Sequence, residues 1–257
     1  MCVFDCNRDE EYDKSDYVSC IAGGTRNIRL TLKKFMFTDR ADAGRQLAKK
    51  LERYRGKEAV VLALPRGGVV TGHEIAEALK LPLDIIVVRK IGHPSSPEYA
   101  IGAVDEKGTT ILNETETAAL DQAWLREEIG RQRKEAQRRS TVYREKRMPR
   151  GLAGKIAIVV DDGIATGLTM RLAVRSVKAQ KPEQIIVAVP VAPMESLRAL
   201  KEEGAGDVIV LEPPEGFLGA VGAHYDRFEQ VPDEEVIRLL QSMYEARDKN
   251  TGSRRNA

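Results

Sequence analysis

Five runs of nearly uninterrupted apolar residues recur along this chain: AVVLAL (59–64), LDIIVVRK (83–90), KIAIVV (155–160), QIIVAVPV (184–191) and GDVIVLE (206–212). A strand with one face in water alternates apolar and polar residues; a strand covered on both faces does not. Segments with helical spacing flank the runs: FTDRADAGRQLAKKLERYRG before the first, HEIAEALK, GLTMRLAVRSVKAQ and PMESLRALKEEG between later ones, PDEEVIRLLQSMYEAR after the last. Thr38 or Asp39 suits the N-cap of the first helix, Leu47 and Leu51 lie one turn apart, and Gly56 follows its end. Pro232 and Asp233 open the last helix. Covered strands joined by helices make an α/β fold, with a mainly parallel sheet and helices on both faces.

The alternation breaks once. IGHPSSPEYAIGAVDEKGTTILNE (91–114) holds two short strand-like pieces, near Ala100–Val104 and Thr109–Leu112. A long polar helix is expected next, from about Glu116 to Lys146, with sparse apolar points at Leu120, Trp124, Ile129 and Val142. Residues 113–150 therefore read as a helical insertion or lid. Residues 1–34 lack periodicity and read as an irregular N-terminal extension, 35–246 as the main domain, and 247–257 as a disordered tail. Cys2, Cys6 and Cys20 all fall in the extension; their odd number and spacing fit no common zinc pattern and suggest free thiols.

Net charge is +2, which gives no global attraction to nucleic acid or membrane. Ten Arg or Lys residues lie between Arg126 and Arg150, but four acidic residues are interleaved with them, which argues against a nucleic-acid surface. No apolar run approaches the roughly 18 residues of a membrane span. The first residues lack a basic segment followed by an apolar one, so a cytoplasmic location is expected.

The third run leads into IVVDDGIATGLT (158–169). In a parallel sheet, ligands bind at the carboxyl ends of strands, which is where Asp161 and Asp162 would stand. Two adjacent carboxylates repel and need a metal ion, a cationic group or hydroxyl donors beside them. The following turn offers backbone N–H groups, the Thr166 and Thr169 hydroxyls and a helix N-terminus, which suit a phosphate. Acceptors for hydroxyls beside donors for a phosphate match a ribose 5-phosphate. A Walker loop would need lysine where Leu168 stands, and no G-x-G-x-x-G occurs.

This segment resembles the phosphoribosyl-diphosphate (PRPP) signature of type I phosphoribosyltransferases, and LPRGGVVTG (64–72) resembles their pyrophosphate loop. VVRKIGHPSSPEYAIGAV and FLGAVGAHYDRFEQVPDEEV are similar to segments of a subgroup whose acceptor is unassigned. The resemblance spans about Phe35 to Leu240. It implies the Rossmann-like fold of that family, with a hood that selects the acceptor.

On the same resemblance, Asp161 and Asp162 would hold the ribose hydroxyls, and Ala165, Thr166, Gly167, Leu168 and Thr169 would cradle the 5-phosphate. Arg66, Gly67 and Gly68 would meet pyrophosphate across a cis peptide expected at Arg66–Gly67. Lys90, at the tip of the second strand, would reach a phosphate. Mg²⁺ would arrive largely with PRPP, touching the aspartates through water. The acceptor would be a nucleobase or similar nitrogen nucleophile, and Phe217, Tyr225 or Phe228 could stack on it or belong to the core. His93 lies in the Gly92–Tyr99 loop, a second lid candidate; His73 and His224 are scattered. A homodimer stays open, as do two other readings: a non-catalytic PRPP sensor that binds nucleic acid or protein, and a phosphoribosyl-donor hydrolase.

Overall fold

The computed structural model describes residues 17–20, 28–31, 36–145, 147–212 and 214–253. The chain forms two units, 1–35 and 36–257. In the first, β1 (Tyr17–Cys20) and β2 (Ile28–Thr31) pair antiparallel, with Tyr17 opposite Thr31. The extension read as irregular thus contains a hairpin, whose four-residue strands are too short to declare a period. Cys2 and Cys6 lie outside the described residues.

The second unit runs α1 (Arg40–Lys50), β3 (Ala59–Ala63), α2 (Gly67–Leu79), β4 (Leu83–Ile85), β5 (Val88–His93), β6 (Ser96–Asp105), β7 (Thr110–Leu112), α3 (Glu114–Ala118), α4 (Gln122–Arg144), β8 (Ile156–Val160), α5 (Leu168–Lys178), β9 (Gln184–Val189), α6 (Met194–Glu203), β10 (Asp207–Val210) and α7 (Asp233–Ser253). A five-stranded parallel sheet has the order β10-β9-β8-β3-β4. Val61, Ala63, Ile158 and Val160 share a core with Leu47 of α1, Ile75 of α2 and Leu240 of α7. Their strand neighbours Val60, Leu62, Ala157 and Val159 share the opposite core with Met170 and Leu172 of α5 and Leu200 of α6. Both faces are covered, which is why these strands carry no polar alternation. Each such valine or isoleucine contributes about 1.5–3 kcal/mol by leaving water.

LDIIVVRK is not one strand. Its first part is β4; Ile86 N–H still bonds the Ala63 carbonyl at 3.0 Å, and the chain then enters a second, antiparallel sheet as β5, in the order β5-β6-β7. The run stays apolar across the change because its crossing residues, Ile86 and Val87, are buried too. Asp84 marks the crossing. It is buried, and it accepts from Arg144 Nε at 3.1 Å and from the Arg150 N–H at 2.7 Å. Arg144 Nη2 also donates to the Ile85 carbonyl at 2.6 Å. This ion pair fastens the end of α4 to the point where the chain changes sheets.

The long helix expected over 116–146 is two helices. Asn113 caps α3, and Asp121 caps α4 by accepting from Ala123 N–H at 2.7 Å; a side chain that captures an early N–H starts a new helix. Leu125 of α4 packs with Ile91, Ile101 and Val104 of the second sheet, with Leu120, Trp124 and Ile129 half-buried beside them. The segment read as a disordered tail is helical as far as Ser253, since no proline interrupts α7; residues 254–257 lie outside the described residues. Among the described residues, no helix is long and apolar enough to cross a membrane.

Candidate active site

Strand order diverges between β3 and β8: β4 lies outward of β3, while β9 and β10 lie outward of β8. Connections that leave in opposite directions open a crevice at the carboxyl ends of that strand pair. Ala63 is paired with Val160, and Leu64 N–H donates to the Val160 carbonyl at 2.9 Å. The Pro65–Gly68 turn therefore lies against Asp161 and Asp162.

The fit leaves no room for a side chain. A Cβ on Gly67 would fall 1.9 Å from Oδ2 of Asp162 and 2.7 Å from Nε of Arg40, and one on Gly68 would fall 2.8 Å from Oδ1 of Asp161. Gly67→Ala is expected to displace Asp162 and weaken binding of a ligand held by the crevice by about 100-fold, as misplacement of a positioning group by ~1 Å does. Titration calorimetry would check this; unchanged affinity would mean that Asp162 does not face the ligand.

The cis peptide lies at Pro65–Arg66, one bond before the expected Arg66–Gly67. The Arg66–Gly67 bond already belongs to the start of α2: Arg66 has helical torsions, and its carbonyl accepts from Val69 N–H at 3.1 Å.

Arg40 answers the charge of Asp162. Its Nε donates to Oδ2 at 2.6 Å, its Nη1 donates to the Glu229 carbonyl at 2.8 Å, and its guanidinium lies 3.7 Å over the Phe228 ring. The Tyr225 hydroxyl donates to the Asp162 carbonyl at 2.6 Å. Asp161 accepts from Asp162 N–H at 2.9 Å but pairs with no cation among the described residues. Burial and the adjacent Asp162 charge push its carboxyl well above the usual carboxylate range. The crevice is thus short of positive charge.

Two helices begin at this crevice, α2 at Gly67 and α5 at Leu168, and neither has a side-chain cap. Side chains of Asp39, Asn113 and Asp121 cap α1, α3 and α4; α6 lacks one as α2 and α5 do. The first N–H groups of α2 and α5 are therefore free to meet an anion. Gly167 caps α5 in the left-handed region, at φ 78°. Ala165 and Thr166 are exposed, and neither the Thr166 nor the Thr169 hydroxyl bonds to protein among the described residues. Ser196, which sequence reasoning passed over, donates to the Ala165 carbonyl at 3.4 Å.

Other sequence candidates are placed differently. Arg66 reaches Asp233 Oδ1 and Gln230 Oε1, both at 3.4 Å. Lys90 is not at the tip of the parallel sheet; it lies on β5 and pairs with Glu98 at 2.6 Å. His93 Nδ1 accepts from Ser95 N–H at 3.2 Å, away from the aspartates in sequence and sheet. Tyr225 is buried between Phe37 and Phe228, with ring centroids at 5.3 and 4.8 Å, so it supports Asp162 and offers no stacking face. Phe228 lies under Arg40, and Phe217 stacks on His224 at 5.6 Å. Arg40 was missed; the signal for it was the adjacent carboxylate pair, which demands a cation.

Among the described residues no three His, Cys, Asp or Glu side chains gather as a metal cage. Two carboxylates with excess negative charge fit a Mg²⁺ ion that keeps its waters and is held mainly by substrate phosphates.

Residues 37–226 match the model of the phosphoribosyl transferase domain family. Two curated proteins of Mycobacterium tuberculosis, each bearing the name "Putative phosphoribosyl transferase", are 42% identical over 207 residues, which cover 80% of this chain and 46% of theirs. The chain thus spans about half the length of these curated relatives. The crystal structure of TT1426 from Thermus thermophilus is 41% identical and superposes with a TM-score of 0.66, over 80% of this chain and 98% of that one. With a parallel sheet whose divergent strands carry the carboxylate pair and the glycine turn, and a family model that matches most of its length, the chain belongs to the phosphoribosyl transferase domain family.

Proposed function

We propose that the chain is a Mg²⁺-dependent phosphoribosyltransferase that moves ribose 5-phosphate from PRPP to a nitrogen nucleophile and releases pyrophosphate. The observation that carries this reading is the meeting of Asp161 and Asp162 with the Arg66–Gly68 turn at the divergent strand pair. Asp161 and Asp162 hold the ribose hydroxyls. The uncapped start of α5, with Ala165, Thr166, Gly167, Leu168 and Thr169, holds the 5-phosphate. Arg66 and the N–H groups of Gly67 and Gly68 hold pyrophosphate. The acceptor nitrogen gives its lone pair to C1 of the ribose, the C1–O bond breaks, and pyrophosphate leaves with the electron pair. Positive charge grows on the ring as the bond breaks, and the aspartates stabilise it. Mg²⁺, where it arrives with the substrate phosphates, would supply charge neutralisation for the leaving group beside Asp161 and Asp162.

Calorimetric titration tests the reading. Mg²⁺–PRPP is expected to bind the wild-type chain at micromolar concentrations, and folded protein that takes up none would overturn the proposal. Arg66→Ala is expected to weaken pyrophosphate binding about tenfold or more while ribose 5-phosphate binding changes little, as befits a charge-assisted contact worth about 1.5–3 kcal/mol. Equal losses on both ligands would contradict the assignment of the turn.

A further inference from the structure

Residues 229–233, which lead into α7, hold both arginines of the crevice. The Glu229 carbonyl accepts from Arg40, and the side chains of Gln230 and Asp233 accept from Arg66. The two grips differ. Arg40 also meets Asp162 Oδ2 at 2.6 Å and lies over the Phe228 ring. Arg66 reaches Asp233 Oδ1 through Nη1 and Gln230 Oε1 through Nη2, both at 3.4 Å. That is longer than the roughly 2.7–3.2 Å of an ordinary N–H···O bond. Arg66 and Asp233 are both partly exposed, so water can answer their charges when they part.

Asp233 does not depend on Arg66. Its Oδ1 also accepts from the buried Tyr143 hydroxyl at 2.7 Å, and its Oδ2 accepts from Arg138 Nη2 at 3.4 Å; both partners stand on α4. Burial pushes the Asp233 carboxyl up, but the hydrogen bonds from Tyr143, Arg138 and Arg66 outweigh it and hold it below the usual carboxylate range. The group is therefore ionised at neutral pH. Taking Arg66 away leaves that charge answered from α4. Pyrophosphate carries more charge than one carboxylate and offers a guanidinium several oxygens, so it can draw Arg66 off.

We propose that Asp233 is an internal stand-in for the leaving group: it parks Arg66 until a donor binds and yields it to the diphosphate end, while Tyr143 and Arg138 keep hold of the carboxylate. The exchange rests on the assignment of Arg66 to pyrophosphate in the transferase reading above. Asp233 is then a positioning residue, since it acts on the ligand through Arg66. It competes with the ligand, so whatever strengthens its hold on Arg66 weakens pyrophosphate binding. Tyr143 loosens that hold, because its hydroxyl shares Oδ1 with Arg66.

Titration calorimetry with Mg²⁺–pyrophosphate tests the exchange, with ribose 5-phosphate as a separate arm. Asp233→Asn keeps the side-chain volume and an oxygen for Tyr143 but drops the charge. It is expected to tighten pyrophosphate binding about threefold, the scale of a partly exposed ion pair. Tyr143→Phe is expected to do the reverse and weaken it about threefold, because Asp233 then leans on Arg66. Ribose 5-phosphate should bind both variants as it binds wild type. In an Arg66→Ala background the gain from Asp233→Asn should disappear. A gain of equal size without Arg66 would mean that Asp233 acts on the ligand by its charge alone, and would overturn the inference. So would weaker pyrophosphate binding by folded Asp233→Asn protein, which would make Asp233 an anchor that Arg66 needs. If Asp233→Asn does not fold, Tyr143→Phe decides, and unchanged or tighter pyrophosphate binding overturns the exchange. Pyrophosphate uptake with none of these shifts sinks this inference alone. No uptake by folded wild-type protein sinks the transferase reading and the exchange with it.

Discussion

With Asp161→Asn and Asp162→Asn introduced together, the chain is expected to stay folded and to lose Mg²⁺–PRPP binding by about 10³-fold or more, the scale on which preorganised charge acts at a reacting centre. Each carboxylate would lose its charge and half its acceptor capacity against the ribose hydroxyls, while the side-chain volume is kept. Calorimetry on the folded variant checks this, and retained micromolar affinity would refute the assignment.

Asp161→Asn alone separates function from structure, because it should stabilise the ligand-free chain. The folded-state pKa of Asp161 is raised, by burial first and by Asp162 second. A carboxyl with a raised pKa costs nothing below its unfolded value, near 4, where both states are protonated. The cost grows as pH rises from there through the folded value, because folding then opposes ionisation. The variant is therefore expected to melt above wild type at pH 7–8, and the gap should close as pH falls toward 4. A lower melting temperature at neutral pH would mean that Asp161 holds the turn together by its charge.

The largest expected effect on stability lies elsewhere. Arg144→Ala should destabilise the fold by about 3–5 kcal/mol, the usual cost of removing one partner of a buried pair. The N–H groups of Ile85 and Arg150, at 2.8 and 2.7 Å, would still bond Asp84, but the guanidinium that faces its buried charge would be gone. Replacing both partners, Asp84→Leu with Arg144→Met, should cost less than the single change, because no uncompensated charge remains. Denaturant unfolding of the two variants decides the matter. A single-variant loss below about 1 kcal/mol would show that water reaches Asp84 once the arginine is gone.

The parallel sheet was legible because a strand buried on both faces cannot carry polar alternation, and five runs lacked it. The change of sheets within LDIIVVRK was not legible, since Ile86 and Val87 are buried in the crossing as they would be in a strand. The one trace of it was Asp84, a carboxylate inside an apolar run. Its partner Arg144 lies 60 residues away, beyond any local pattern. The Asp161–Asp162 pair and the glycine turn were readable because each is a run of adjacent residues. Arg40 and Tyr225, which hold that pair in place, come from α1 and from the segment before α7, and only folding brings them to Asp162.

The two uncapped helices that begin at the crevice lie on opposite faces of the sheet, α2 on one and α5 on the other. On the reading proposed above, a donor strung between them would have its direction fixed, with its monophosphate end at α5 and its diphosphate end at α2. The sugar would then turn one face to the acceptor, and products formed from such a donor would share one configuration at the anomeric carbon.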